Sequence, residues 1–329
     1  MPKFCRHNRL LQNCPICSRE QAVELRPILS SSMPRAAEPR TRPSRAPARR
    51  AGVPRTPFRA GVTVRHVRNA VDDGYRSPLV PGLKSSEQAR SLAHELAFAA
   101  ARLQVLASDP PGLYAEVAGT GADIEERTWL AFLIAYLSPV DREDPFAEIN
   151  RVRTSWASGE QPALNSVHTG PRTAHDPARG TRTLEAYRAW SQRAGSQSAA
   201  FGGDPSWSAE RRFARTFERL ALPGMHRDAR FDLLVTLGRL GVYEMRAGTL
   251  QLGGPDQATI AAKRALGIGD PLVLERRAAQ LAEACGVPLE ALDLGLYNWE
   301  RGERTGAGLD PGSAGEGPEV DAACAALGL

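Results

Sequence analysis

The stretch "DIEERTWLAFLIAYLS", residues 123–138, decides the fold. It opens with Asp123, Glu125 and Glu126, acids placed where negative charge complements a helix dipole. From Trp129 to Leu137 it is apolar on nearly every side. A helix without a polar face belongs among other helices, so this segment reads as the central helix of an all-α domain. The strongly apolar run, "TWLAFLIAYL" (128–137), is ten residues long, half of what a membrane span needs. No membrane partner is expected, and the N-terminus lacks the apolar run of an export signal, so a cytoplasmic protein is expected.

The flanking sequence supports the same class. "SSEQARSLAHELAFAAARLQVLAS" (85–108) begins with Ser85 and Gln88 at capping-box spacing, followed by Leu92, Leu96, Ala99, Leu103 and Leu106 on one helical face. "SAERRFARTFERLAL" (208–222) puts Phe213, Phe217 and Leu220 on a stripe. Helical patterns continue over 230–245, 256–267 and 270–286, the last ending at a glycine. "GTLQLGG" (248–254) is the one fair candidate for a hairpin edge, and residues 159–206 read as a long loop, disordered or functional. The expected organisation is a metal knuckle over 1–24, a disordered Pro/Arg-rich linker over 25–83, a helical domain over 84–301 and a flexible, glycine-rich tail over 302–329 that ends in a short apolar patch, with docking of that patch left open.

Charge is distributed unevenly. The net charge is +5, yet residues 26–69 hold eleven arginines against Glu38 alone, a surplus of ten. Residues 1–25 add a surplus of two, which leaves 70–329 with seven more acids than bases. An acidic body favours a non-catalytic adaptor over a DNA-acting enzyme, because a DNA-binding surface is expected to be basic, though it leaves room for a locally basic groove. Arginine enrichment as a compositional bias of linkers is the plainer reading.

Three of the five cysteines crowd into "FCRHNRLLQNCPIC" (4–17). Cys5, His7, Cys14 and Cys17 form C-x-H-x6-C-x2-C, two close ligand pairs that suit tetrahedral Zn2+. All four donors are committed to one ion, so the site reads as structural, and so small a unit folds only with its metal. The redox alternative lacks a strand before its C-x-x-C, and coincidence is the remaining alternative. Cys285 and Cys324 sit alone and read as small apolar residues. A metal knuckle followed by arginines has the character of a nucleic-acid-engaging appendage.

"LGIGD" (266–270) lies between two helical patterns, and its glycines would let backbone N–H groups approach a phosphate closely. By itself the motif is weak, since many helix–helix turns contain glycine. Lys263, Arg264, Arg276 and Arg277 flank it as a possible basic groove. The chain then runs through "GVPLEALDLGLYNWERG" (286–302), with Asp293 lying 24 residues beyond Gly269.

The order of helix, glycine hairpin, helix, aspartate and aromatic-rich helix resembles the helix-hairpin-helix DNA glycosylase fold. Together, "CRHNRLLQNCPIC", "ERTWLAFLIAYLSP" and "AAKRALGIGDPLVLERRA…LDLGLYNW" resemble the alpha-glutamyl/putrescinyl thymine pyrophosphorylases, proteins of thymine hypermodification in DNA. The resemblance covers about residues 85–301 plus the front cluster. It implies DNA as partner, a phosphate held by the backbone at Gly267 and Gly269, and Asp293 as the catalytic carboxylate. The chain departs from bifunctional glycosylases in having no lysine after the hairpin: Asp270 follows, and Lys263 precedes.

Plainer readings stand beside these. Asp293 is also readable as a surface acid or a cap. Arg127 and Trp129 are candidates for lining a base pocket, since aromatics stack on extruded bases, while a tryptophan at helical spacing is more often core. His94 reads as a core histidine, and His168 and His175 with Asp176 lack metal geometry. Asp141 to Asp144 read as a solvated turn. Two functions follow: a DNA-acting enzyme, expected if Asp293, Arg127 and the 266–270 turn share one cleft, or a non-catalytic nucleic-acid-binding or adaptor protein, expected if they scatter.

Overall fold

Helix α3 (Ile124–Leu137) occupies the position its composition demands, with every residue from Ala131 to Leu137 buried. The computed structural model describes residues 71–312 and 317–329, so the zinc-ligand candidates and the whole basic segment 26–69 lie outside the described residues. The described residues form helices only. They are α1 (Ser86–Ser108), α2 (Leu113–Ala118), α3, α4 (Ala147–Val152), α5 (Gly180–Arg193), α6 (Gln197–Gly202), α7 (Ala209–Arg219), α8 (Arg227–Arg239), α9 (Gln257–Leu266), α10 (Pro271–Ala284), α11 (Leu289–Arg301) and α12 (Pro318–Leu327). None is long and apolar enough to cross a membrane.

Two packing centres carry the fold. In the first, α3 lies against α2, α6 and α8. Trp129, Phe132 and Tyr136 recur at helical spacing and stack along it, with Trp129–Phe132 centroids at 5.3 Å and Phe132–Tyr136 at 5.5 Å. Tyr187 of α5 closes on Phe132 at 3.8 Å. In the second, α11 packs along α1 and is covered by α9 and α10, while α12 docks on α1. The apolar stripe of α1 read from the sequence, Leu92, Leu96, Ala99, Leu103 and Leu106, is buried throughout.

Four expectations are corrected. The "GTLQLGG" segment makes no ladder: the N–H groups of Leu250 and Leu252 donate to the Glu275 carboxylate of α10, so a side chain replaces the missing strand partner. The linker ends earlier than residue 83, because Tyr75, Val80 and Leu83 are buried and the Gly82 N–H donates to the Ala265 carbonyl at 3.0 Å. A Cβ on Gly82 would stand 1.8 Å from the Arg264 oxygen, so only glycine lets the chain pass this close to α9. The tail is structured over its end: α12 buries Val320, Ala323 and Leu327, and the Leu327 carbonyl accepts from Tyr75 Oη at 2.5 Å.

The fourth concerns 159–206, which is not one loop. Irregular chain runs to residue 179, and α5 and α6 follow. The irregular part is tied to α3 by its backbone. Gly170 N–H donates to the Leu137 and Ser138 carbonyls, and Ala174 N–H to Tyr136, so the loop satisfies acceptors that the end of a helix leaves open. A Cβ at Gly170 would meet the Pro139 oxygen at 1.9 Å.

Candidate nucleic-acid interface and a buried ionic network

The α9–α10 hairpin is built by ordinary capping chemistry. Asp256 starts α9 by accepting from Thr259 N–H, and Gly267 ends it at φ +65°, with its own N–H donating to the Lys263 carbonyl. Asp270 starts α10, taking the N–H groups of Leu272 and Val273 at 3.0 Å each, with Pro271 in the first turn where its missing N–H costs nothing. Between these caps the N–H groups of Ile268, Gly269 and Asp270 meet no acceptor among the described residues. Gly267 and Gly269 are exposed, and a Cβ at Gly269 would touch nothing.

The basic residues divide. Lys263, Arg276 and Arg277 are exposed, and neither Lys263 nor Arg276 has an ion-pair partner among the described residues. Arg264 is turned inward: it lies 4.0 Å over the Trp299 ring and pairs with Glu300 at 3.2 Å. Its expected place in a basic groove is therefore corrected to a packing role. Burial pushes the Glu300 carboxyl up, and Arg264 opposes that rise.

Asp293 is neither a surface acid nor a cap. It lies within α11, 1% exposed, between two arginines. Arg172, from the 153–179 loop, donates to Asp293 Oδ2 at 2.5 Å and forks onto Asp232 of α8 at 2.7 and 2.9 Å. Arg227, at the start of α8, pairs with Asp293 Oδ1, donates to the Leu250 carbonyl and reaches Asp228 at 3.2 Å. The Arg172 guanidinium also lies 4.6 Å over the Tyr297 ring, whose hydroxyl donates to the Pro171 carbonyl. Burial alone would raise the Asp293 carboxyl, but Arg227 and Arg172 outweigh it and hold it below the usual range. Asp228 goes the other way, pushed up by burial and by Asp293 against the pull of Arg172 and Arg227.

Asp293 and the hairpin do not share a cleft. The hairpin meets α11 at Trp299 and Glu300, and Glu300 is seven residues, about 10 Å along the helix, from Asp293. The small space beside Asp293, about 10 Å³, is lined by α1, α8 and α11 and includes no hairpin residue. It holds one water at most.

Arg127 and Trp129 share one cavity without an observed contact between them. Arg127 donates to the Val117 and Ala118 carbonyls at the end of α2, and Trp129, 1% exposed, donates to the Thr154 carbonyl at 2.8 Å. Both line a cavity of about 320 Å³ with Leu133, Glu116, Glu126 and Arg153. Arg153 pairs with Glu116 at the rim at 2.7 Å. The cavity is separate from Asp293 and the hairpin, so the three candidate groups scatter.

Other candidates resolve into structure. His175 Nδ1 lies 3.2 Å from Tyr136 Oη, and burial lowers its pKa. His94 is half-buried, and Asp141 accepts from Thr305 Oγ1 at 3.0 Å. Cys285 is buried and its thiol is pushed up to about 11. Among the described residues no group of three or more His, Cys, Asp or Glu could hold a metal. Arg172 and Arg227 escaped the sequence reading, and the only signal for them was Asp228 and Asp232 four residues apart on one helix face. Compared with known proteins, the chain matches no family model, no curated protein and no solved structure.

Proposed function

We propose that this protein binds duplex DNA, and that the 266–270 turn holds a backbone phosphate. The observation that supports this most is the row of three N–H groups on an exposed glycine turn that meet no acceptor among the described residues, with Lys263 and Arg276 exposed and without an ion-pair partner among those residues. The body as a whole is acidic, so its contact with DNA is confined to this spot. The surplus of ten positive charges in 26–69 supplies affinity without sequence readout. In the same reading Cys5, His7, Cys14 and Cys17 hold a structural Zn2+, a donor set of three thiolates and one imidazole that suits the ion. The test is binding to a duplex across a salt series. Lys263→Ala and Arg276→Ala each lower the slope of log affinity against log salt by about 1. Unchanged slopes in both variants reject the hairpin as the contact.

A second reading, processing of an extruded and modified thymine, is favoured by one observation: the cavity beside Trp129 and Arg127 reaches the lower end of ligand-pocket size. In that reading Asp293 is not the carboxylate, because it is buried between Arg172 and Arg227 and is separate from this cavity. Turnover of hypermodified-thymine DNA that disappears in Arg127→Ala supports it, and absence of turnover in the wild type rejects it.

A further inference from the structure

Helix α7 buries Phe213 and Phe217 and turns Arg211, Arg215 and Arg219 to solvent. The three arginines recur at steps of four, so they share one face and span about 12 Å along the axis. Two of them converge. The guanidinium carbons of Arg211 and Arg219 lie 5.9 and 5.1 Å from the centre of the same Trp207 ring, although these residues stand two turns apart. Trp207 is half-buried and fixed from below. Its N–H donates to the Asp204 carbonyl at 3.1 Å, and its carbonyl accepts from the buried Arg212 at 3.2 Å. Its ring packs on Gly203, where a Cβ would stand 2.5 Å away. Two like charges drawn to one ring repel each other unless an acid answers them. Among the described residues none does: Arg211 and Arg219 make no ion pair, Glu218 pairs with Arg215 at 3.1 Å, and Asp204 accepts from Ser206 N–H and Oγ at 2.8 Å each.

We propose that the Arg211–Arg219 pair is a seat for a phosphorylated serine or threonine of a partner peptide. Guanidinium forks match phosphate oxygens in geometry, and a phosphate monoester brings about two negative charges to two unanswered positive ones. The Trp207 ring holds both long side chains in place beforehand, so the incoming anion loses less to ordering them. The pair stands on an exposed helix face, which suits a group projecting from a peptide chain. An extended polyanion is disfavoured there, because residues 70–329 carry seven more acids than bases, whereas a single phosphate meets the arginines alone. The seat is independent of the DNA-binding reading, since the 266–270 turn has no part in it.

The experiment uses the full chain and a fluorescein-labelled alanine–glycine peptide with one central phosphoserine, beside the same peptide carrying serine, at constant ionic strength. Wild type is expected to bind the phosphorylated form about 10-fold more tightly. The preference is larger at pH 7 than at pH 5, because the second phosphate ionisation lies near about pH 6. Arg211→Ala and Arg219→Ala are each expected to lower that affinity about 10-fold without moving the melting temperature, since both side chains are exposed. Trp207→Leu lowers it several-fold with both charges kept, while Arg215→Ala, whose side chain is committed to Glu218, and Lys263→Ala leave it unchanged. Equal binding of the two peptides by wild type, or full affinity in both arginine variants, overturns the seat. Inorganic phosphate that binds as tightly as the phosphopeptide overturns a peptide as the partner. So does a duplex whose affinity falls in Arg211→Ala and Arg219→Ala as far as the peptide's, which would assign the arginines to nucleic acid.

Discussion

Asp293 turned from a candidate catalyst into the centre of a buried ionic lock. Its two oxygens are each claimed by a different arginine, one from the irregular loop and one from α8, so a single carboxylate joins three parts of the chain. Removing one member of such a buried set leaves the others unpaired in a poor dielectric. Arg172→Ala should therefore lower stability by about 3–5 kcal/mol, read by denaturant unfolding, whereas loss of a surface pair would cost under about 1 kcal/mol. The pH behaviour follows from two opposed shifts. Asp293 titrates lower in the folded protein than in the unfolded chain, so its stabilising contribution is present above the unfolded pKa of about 3.8 and is lost as pH falls through the lower folded value. Asp228 titrates higher when folded, chiefly because it is buried, so its charged form weakens the fold at pH values above the unfolded pKa of about 3.8. Asp228→Asn keeps the acceptor toward Arg227 and should raise the melting temperature at pH 7 by a few degrees, with a smaller gain at pH 4. An equal gain at both values contradicts this account. Beyond the spacing of Asp228 and Asp232, this was not legible from residue order, because Arg172 and Arg227 stand in segments without periodicity and their shared partner Asp293 is distant in sequence.

The elements were legible wherever one face repeats. The stripe of α1 and the all-round apolarity of α3 placed both helices correctly, since burial follows from periodicity. The turn at 266–270 was equally readable, because Gly267 and Asp270 are cap residues for the helices they separate. What failed were segments whose partners are side chains or distant backbone: the 248–254 strand candidate ended on Glu275, and the 302–329 tail hid a docking helix behind its glycines. Two predictions belong here. Asp270→Asn preserves the cap on α10 while removing a negative charge from the proposed phosphate contact, so on the DNA-binding reading affinity should rise several-fold at low salt with unchanged melting. Gly82→Ala forces a Cβ onto the Arg264 oxygen and should destabilise the body by about 1–3 kcal/mol, seen as a lower denaturant midpoint.

At the scale of the molecule, charge is segregated: an acidic helical body and a basic segment in one chain. On the proposed DNA-binding reading, such a layout separates tasks, with non-specific affinity in the basic segment and geometry in the hairpin. The sequence carried this segregation openly, and it also carried the front cluster, whose metal content is measurable directly: purified protein should hold one zinc per chain and Cys14→Ser none. The expectation of one cleft uniting Asp293, Arg127 and the hairpin was not met, because helix α11 spaces the first and last of these along its axis and α3 carries the second elsewhere. Within the helical body, the proposed contact with DNA is therefore left to the 266–270 turn. Hydrogen exchange of the peptide spanning 266–272, measured with and without a saturating plain duplex, tests it most directly. Strong protection of Ile268, Gly269 and Asp270 on adding DNA is the predicted result, and bound DNA with unaltered exchange at these amides would contradict it.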